Sequence, residues 1–265
     1  NTNKPYFRGF RFAYVLLPWV KGSQVQLNTK QDWQRVTTAL AQFHESSKEF
    51  APESSYRELT QTGRWMNKWE KEVQLSEIFH LAAKWTMSPT KADRFWLRTA
   101  SYTTSILENV MEYYEKIDGE KICKETEGHG KLCHANLHSS NIVQDQSGNI
   151  HFVDWNEAVF NVRTHDLAQW LVYAFGKTGS KEVLKTIIDS YQSVSPLKEE
   201  EYSLIYARLL YPERLIRTLE AIYEKEEHEE NPEVSAGIIK SLTKMEEKKT
   251  ALFQAYSSLV KEEYD

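Results

Sequence analysis

The chain has 265 residues, of which 40% are hydrophobic and 27% are charged, and its net charge at pH 7 is −5. This length suits one large domain or two small ones, and the hydrophobic share is sufficient for a buried core. The mild acidity gives no electrostatic basis for binding nucleic acid or an anionic membrane, and no apolar run is long enough to span a bilayer.

The chain contains two cysteines, Cys123 and Cys133, whose spacing matches no metal-binding motif. So few thiols in a chain of this length are typical of a reduced intracellular protein, although they leave one disulfide open. The first residue is Asn1 rather than Met, which indicates a fragment, a processed product or an incompletely observed chain.

The first predicted element is a buried strand at residues 12–17, which is rich in β-forming side chains and is stopped by Pro18. Lys21, Gly22 and Ser23 then predict a turn. Apolar residues at helical spacing predict helices at about 29–46, 54–86 and 90–117.

A small β region is predicted after Gly128. The short apolar runs at 131–134, 142–144 and 150–153 predict strands, and residues 145–149 have the composition of a tight turn, so the last two strands form a hairpin. The remaining segments predict helices at about 164–174, 181–193, 198–211, 212–227 and 231–263. The predicted fold is therefore mainly α with a small β hairpin.

The residues that could take part in catalysis or metal binding lie around this hairpin. The loop after the first strand carries Asn136 and Asn141, and Asp154 follows the third strand. Phosphoryl transfer needs a carboxylate that accepts the proton of the substrate hydroxyl, together with an Asn and an Asp that hold Mg²⁺ against the phosphates. Asn141 and Asp154 fit the two metal positions, whereas Asn136 occupies the position of the base.

At these residues the chain resembles a known superfamily. The stretch His-Ala-Asn-Leu-His-Ser-Ser-Asn at 134–141 resembles the His-Gly-Asp-Leu-His-x-x-Asn loop of aminoglycoside and choline kinase-like phosphotransferases. Residues 153–155 resemble their metal-binding Asp segment, and residues 164–168 their Asp-Leu-Ala helix start. Residues 41–44 are similar to the Leu-Ala-x-Phe-His end of an earlier helix, and residues 14–22 to the hinge strand that reaches adenine.

Within that superfamily, residues 209–214 resemble a segment of the bacterial spore-coat kinase-like proteins, the CotS group with its relatives YutH and YsxE. The resemblance implies the C-terminal lobe of a protein-kinase-like fold. Residues 1–23 would be the hinge strand and the remnant of the N-lobe connection, and residues 24–265 the helical lobe, with the catalytic-loop hairpin at about 131–155. It also implies a spore-coat location in a spore-forming bacterium and contacts with other spore-coat proteins.

The same resemblance implies ATP and Mg²⁺ as weakened or lost cofactors. Leu17, Trp19 and Val20 would contact the nucleotide, and Asn141 and Asp154 would hold the metal. The implied catalytic-loop residues are Asn136, His134 and His138. His134 is expected to brace the loop backbone, and the expectation for His138 is divided between a contact to phosphate or the base position and a structural role. Asp166 is expected to cap its helix and to tie to the loop.

Two departures from the superfamily predict binding or assembly rather than catalysis. Asn136 replaces the catalytic aspartate, and an amide cannot take the hydroxyl proton, which removes help of about 10²–10⁴-fold. If residues 14–22 are the hinge, the phosphate-covering loop and the strand lysine of the N-lobe are not in these residues. Two alternatives stay open: an active or weakly active phosphotransferase whose N-lobe lies outside these residues, and a nucleotide-binding scaffold without turnover.

Overall fold

The computed structural model describes residues 6–8, 10, 13–15, 17–50, 60–223, 242 and 247–261. Its helices are α1 (Lys30–Ser46), α2 (Trp65–Trp85), α3 (Lys91–Lys116), α4 (Gly119–Thr126), α5 (Thr164–Thr178), α6 (Lys181–Gln192), α7 (Glu199–Leu210) and α8 (Glu213–Tyr223), and residues 247–261 are also helical. Its strands are β1 (Tyr6–Arg8), β2 (Ala13–Val15), β3 (Gly22–Gln24), β4 (Leu132–Cys133), β5 (Ile142–Asp145), β6 (Ile150–Phe152) and β7 (Val159–Phe160). The prediction of a mainly α fold is confirmed.

Two helices begin at capping boxes. The hydroxyl of Thr29 accepts a hydrogen bond from the backbone N–H of Asp32, whose carboxylate accepts from the backbone N–H of Thr29. Thr90 and Asp93 repeat this arrangement at the start of α3. These reciprocal bonds satisfy backbone donors that have no partner inside the helix. They explain why the predicted starts at 29 and 90 lie within one residue of the observed ones.

The helix predicted at 54–86 begins later than expected. Residues 51–59 lie outside the described residues, and α2 starts only at Trp65. Thr60 forms a bridge with Phe160, and Gly63 has a φ of 69°, so residues 60–64 form a turn instead. The short helix α4 was not predicted. Asp118, at a φ of 55°, separates it from α3.

The turn predicted at 21–23 is wrong, because β3 occupies that position and pairs antiparallel with β5. Gly22 fits there for a steric reason: a Cβ at this position would lie 2.3 Å from the carbonyl oxygen of Gln144. The strand expected at 12–17 is present as β2, which covers 13–15 and pairs with β1. Its expected burial is wrong, because Tyr14 and Val15 are exposed.

The predicted hairpin is confirmed, since β5 pairs antiparallel with β6. The carboxylate of Asp145 organises its turn by accepting hydrogen bonds from the backbone N–H groups of Ser147 and Asn149 and from the ring of His151. With β3 the hairpin forms a three-stranded sheet in the order β3-β5-β6. The strand predicted at 131–134 is β4, which pairs with β7 in a second small sheet next to the loop at 134–141.

The helices pack into an aromatic-rich core. Five tryptophans, Trp33, Trp65, Trp69, Trp96 and Trp170, are each 2% exposed or less, and Trp155 is half-buried. Large aromatic side chains contribute much of the buried apolar area in such a body. The largest cluster joins α1, α5, α6 and α7 and lies directly behind the β5–β6 hairpin. The hairpin and its loop therefore sit on a rigid helical base.

Candidate functional site

The loop between β4 and β5 is anchored by the carboxylate of Asp166, in the first turn of α5. Asp166 accepts hydrogen bonds from the backbone N–H of His134 at 2.7 Å and of Ala135 at 2.8 Å. Asp166 is fully buried, so these bonds fix the loop against the helix. The expected tie between Asp166 and the loop is confirmed, but its carboxylate bonds to loop amides and does not cap its own helix.

A glutamine that the sequence analysis missed completes this anchor. Gln169 donates from Nε2 to the carbonyl oxygen of Ala135 and accepts from the backbone N–H of Leu137. Ala135 has a left-handed φ of 59°, a conformation that costs a residue with a Cβ about 1–2 kcal/mol. Asp166 and Gln169 lie three residues apart on one face of α5, and this spacing was the available signal.

The imidazole of His134 braces the inside of the loop. Its Nε2 donates to the carbonyl oxygen of Val153 at 2.9 Å, and its Nδ1 accepts from the backbone N–H of Asn136 at 3.3 Å. The ring is fully buried against Trp155, with 4.6 Å between ring centroids. His134 therefore connects the loop to the segment that carries Asp154.

A hydrogen bond between Asn136 and Asn141 crosses the loop. The side-chain Nδ2 of Asn141 donates to the backbone oxygen of Asn136 at 3.0 Å. This bond commits the amide nitrogen of Asn141, so its Oδ1 is the atom suited to a hard cation. Asn136 is half-buried and presents an amide at the position where the superfamily motif has a carboxylate.

Asp154 follows β6 and is exposed. The residue before it, Val153, donates its backbone N–H to the backbone oxygen of Asn141 at 2.9 Å, which brings the two segments that carry Asn141 and Asp154 side by side. Asp154 itself has a left-handed φ of 65°, and its Oδ1 accepts from the side chain of Asn156 at 2.7 Å. One carboxylate and one amide oxygen, completed by phosphate and water oxygens, are a donor set that Mg²⁺ accepts.

His138 lies two residues beyond Asn136 and is half-buried. Partial burial and the neighbouring His134 lower the pKa of His138, and the charge of Arg214 acts in the same direction. The carboxylate of Asp154 opposes this shift. The pKa of His138 therefore lies below its ordinary value, and both Asp154 and Arg214 influence it.

The segment predicted to contact a nucleotide connects β2 to β3. Leu17 and Trp19 are 70% and 88% exposed, and Val20 is half-buried. Strand β3 leads from this segment to the loop, where Gln24 donates a hydrogen bond to the hydroxyl of Ser139. The structure thus connects the predicted hinge to the loop at 134–141 through the three-stranded sheet.

His44, in the last turn of α1, belongs to the buried base of the loop. Its Nε2 lies 3.2 Å from the carboxylate of Asp166, and its Nδ1 lies 2.6 Å from the hydroxyl of Tyr191. Donor atoms of His44, Cys133 and Asp166 lie within 4.8 Å of one another. All three side chains have protein partners, since the Sγ of Cys133 lies 3.4 Å from the carbonyl oxygen of Val162 and Asp166 bonds to His44 and to the loop. We assign it to anchoring the loop.

A buried ion pair, also missed from the sequence, supports the start of α5. Arg163 donates through Nε and Nη2 to the two carboxylate oxygens of Glu201 at 2.8 and 2.7 Å. Arg163 is 1% exposed and Glu201 is fully buried. Such a two-point pair is geometrically specific, so it fixes α7 against the start of α5, the helix that carries Asp166.

Among the described residues, no helix has the length and hydropathy needed to cross a lipid bilayer.

The two cysteines are free and buried, so the disulfide left open by the sequence is not formed.

A family model described as "Spore coat putative kinase YutH" matches residues 15–255. The endospore coat-associated protein YutH of Bacillus subtilis (strain 168) is 24% identical over 195 residues, which cover 72% of this chain and 55% of that protein. The match thus spans little more than half of the relative's length.

Solved structures show the same fold. An aminoglycoside phosphotransferase from Alicyclobacillus acidocaldarius subsp. acidocaldarius DSM 446 superposes with a TM-score of 0.72 at 17% identity, covering 98% of this chain and 76% of that one. The ethanolamine kinase of Plasmodium vivax gives 0.59 at 18% identity, with 98% and 70% covered. Spectinomycin phosphotransferase APH(9)-Ia, in complex with ADP and spectinomycin, gives 0.57 at 15% identity, with 95% and 74% covered. At these identities the likeness establishes the fold alone.

Proposed function

This chain belongs to the YutH family of kinase-like spore-coat proteins, and on that premise we propose that it is a catalytically degenerate kinase-like protein of the spore coat. It acts through protein contacts, with the retained loop available as a nucleotide-dependent scaffold. The observation that carries this proposal is Asn136, which stands at the base position of a loop whose supporting hydrogen bonds are all in place.

Asn136 affects the transfer of one proton. In phosphoryl transfer to a hydroxyl, a carboxylate at the base position takes the proton of the attacking oxygen. The amide of Asn136 has no basicity at neutral pH, and its backbone N–H and C=O are already bonded to His134 and Asn141. General-base assistance of about 10²–10⁴-fold from this residue is therefore absent.

The preserved loop supports a role in binding. The left-handed backbone of Ala135 and Asp154 costs stability, and a chain that needed only a core could dispense with it. Asn141 and Asp154 would hold a Mg²⁺ ion that neutralises the nucleotide phosphates when it is bound. Leu17, Trp19 and Val20 would provide apolar contacts to the base. The ADP bound by spectinomycin phosphotransferase APH(9)-Ia gives a precedent in this fold.

A weakly active phosphotransferase is the second candidate, and His138 favours it. Partial burial lowers the pKa of His138, which favours the neutral imidazole that a general base requires. It lies in the same loop as Asn136, close enough to Asp154 for the carboxylate to influence its titration. In this case, activity would fall on substitution of His138 and would persist without a carboxylate at position 136.

Calorimetric titration of MgATP into the longest native form of the protein tests the proposal. We expect heat of binding that requires Mg²⁺ and is lost in Asp154→Ala, whereas Asp189→Ala, which changes an exposed carboxylate on α6, binds as the native chain does. At a hundredfold excess over Kd the bound nucleotide stabilises the native state by about 2.7 kcal/mol, which a thermal melt detects. Absence of binding would remove the nucleotide-dependent part of the proposal.

A further inference from the structure

The paired helices α2 and α3 end in an exposed apolar tip. We define the hairpin tip as residues 78–102, which comprise the end of α2, the connection 86–90 and the start of α3. Twelve large hydrophobic side chains are exposed among the described residues, and six of them lie here: Ile78, Leu81, Trp85, Met87, Leu97 and Tyr102. Trp85 is 79% exposed and Met87 is 97% exposed. Single exposed apolar residues are ordinary, but such a concentration marks an interaction surface.

The end of α2 is apolar on two faces. Phe79 and Ala83 lie on the buried face and pack with Trp96 and Leu219. Ile78, Leu81 and Trp85, at spacings of three and four residues, form a second stripe on the exposed side. Each residue of this outer stripe is more than half exposed, so most of its apolar surface is left uncovered in the described fold.

The hairpin tip is also basic, in a chain whose net charge is −5. It contains Lys84, Lys91, Arg94 and Arg98, all exposed, and its only acidic residue is Asp93. Asp93 is 6% exposed and its carboxylate is bonded to Thr90 and Tyr223, so it presents no charge to a partner. Lys84, Lys91 and Arg98 form no ion pair within the part of the chain that the structure describes.

We propose that the hairpin tip docks an acidic amphipathic segment of a partner protein. Apolar side chains of the partner would cover Trp85 and Met87, and its carboxylates would pair with the surrounding lysines and arginines. Trp, Met and Arg are enriched in protein interfaces, and complementary charge sets both encounter rate and partner choice. The inference rests on the proposed action through protein contacts. It requires no nucleotide, so its failure and the failure of the nucleotide site are separate results.

Fluorescence anisotropy with a labelled helical peptide provides the test, using the full native chain. The probe carries leucine on one face and glutamate on the other, and a leucine–lysine peptide of the same length is the reference. The tip variants are Trp85→Ser with Met87→Ser, and Lys84→Glu with Arg98→Glu. The matched control is Lys121→Glu with Lys177→Glu, two exposed lysines on α4 and α5. Because all the substituted side chains are exposed, thermal melts should show the same stability for every variant.

We expect the acidic peptide to bind at least about tenfold more tightly than the basic one, and each tip variant to lose about tenfold in affinity while the control retains it. Added salt should weaken the binding, because the charges lie in solvent. Equal binding of both peptides, no binding, or equal loss in tip and control variants would overturn the proposal. So would self-association in sedimentation that the Trp85→Ser and Met87→Ser changes abolish, which would make a second copy the partner. Binding to vesicles containing phosphatidylserine in place of the peptide would likewise assign the tip to a lipid surface.

Discussion

Replacing Asp166 with asparagine removes one charge from the anchor of the loop while keeping the shape of the side chain. The native carboxylate accepts from the backbone N–H groups of His134 and Ala135 and from Nε2 of His44, with 2.7, 2.8 and 3.2 Å between donor and acceptor. An amide can place an oxygen toward only part of this set, so its NH₂ group must face a donor. Leaving a buried donor unsatisfied costs about 1–3 kcal/mol, and breaking a buried charged pair about 3–5 kcal/mol.

We therefore expect Asp166→Asn to lower the free energy of unfolding by about 3–5 kcal/mol, and Tm by roughly 6–20 °C for a chain of this size. Urea unfolding followed by circular dichroism measures the free energy of unfolding. The matched control is Asp189→Asn, whose carboxylate forms an exposed pair with Lys185 and should change stability by less than about 1 kcal/mol. A loss below about 1 kcal/mol for Asp166→Asn as well would refute the assignment of Asp166 as the anchor.

The pH dependence of the stability difference between the native protein and Asp166→Asn provides a second check. Burial raises the pKa of Asp166, but the hydrogen bond and the charge of His44 outweigh it and hold the pKa below its ordinary value. The unfolded carboxyl titrates near about 3.9. The stabilisation is therefore complete above that pH and is lost as the pH falls through the lower folded value. Native and Asp166→Asn proteins should converge in stability below about pH 4.

Three further changes test other parts of the structure. Burial lowers the pKa of His165 to about 3, and the nearby Arg208 contributes. The free energy of unfolding should therefore fall by up to about 1.4 kcal/mol per pH unit as the pH drops from about 6.5 toward 3. Urea titrations at each pH should show that His165→Leu removes this slope. A native slope unchanged by that substitution would contradict the assignment. Arg163→Met should lower the free energy of unfolding by about 3–5 kcal/mol, because it leaves Glu201 charged and buried. Adding Glu201→Leu should recover most of that loss. Additive losses in the double-mutant cycle would argue against a coupled pair. Gly22→Ala should cost about 1–3 kcal/mol because its Cβ would overlap the oxygen of Gln144, whereas Gly128→Ala, where a Cβ meets nothing within 4 Å, should be close to neutral in the same thermal melts.

Helix positions were predictable where capping residues and apolar spacing act locally. Thr29 and Thr90 set the starts of α1 and α3 through bonds that span three residues. The start of α2 was missed because residues 60–64 are shaped by a bridge from Thr60 to Phe160, a contact across 100 residues that no local pattern encodes. The strand at 22–24 was mistaken for a turn for the same reason, because its partner is β5.

The residues of the loop were predictable because the motif keeps them close together in sequence. The residues that hold the loop were not, since His44 bonds to Asp166 from α1 and Tyr191 bonds to His44 from α6. Asp166 was identified from its motif, but its bond to His44 was not predicted because spacing alone says nothing about which helices pack together. Gln169 and the pair Arg163–Glu201 were missed because a charged or amide side chain on a helix is more often exposed.

We infer that Asn136 deprives the retained loop of a general base, and this inference is central to the proposed function. It is tested most directly by γ-phosphate release from MgATP, comparing the native protein with Asn136→Asp in the longest native form of the chain, with Asn136→Ala as the control. The account predicts no turnover above background for the native and alanine forms, and measurable hydrolysis for the aspartate form. Turnover by the native protein that persists in Asn136→Ala would contradict it. Silence of Asn136→Asp in a protein that binds MgATP would also contradict it, since the loss would then extend beyond this residue.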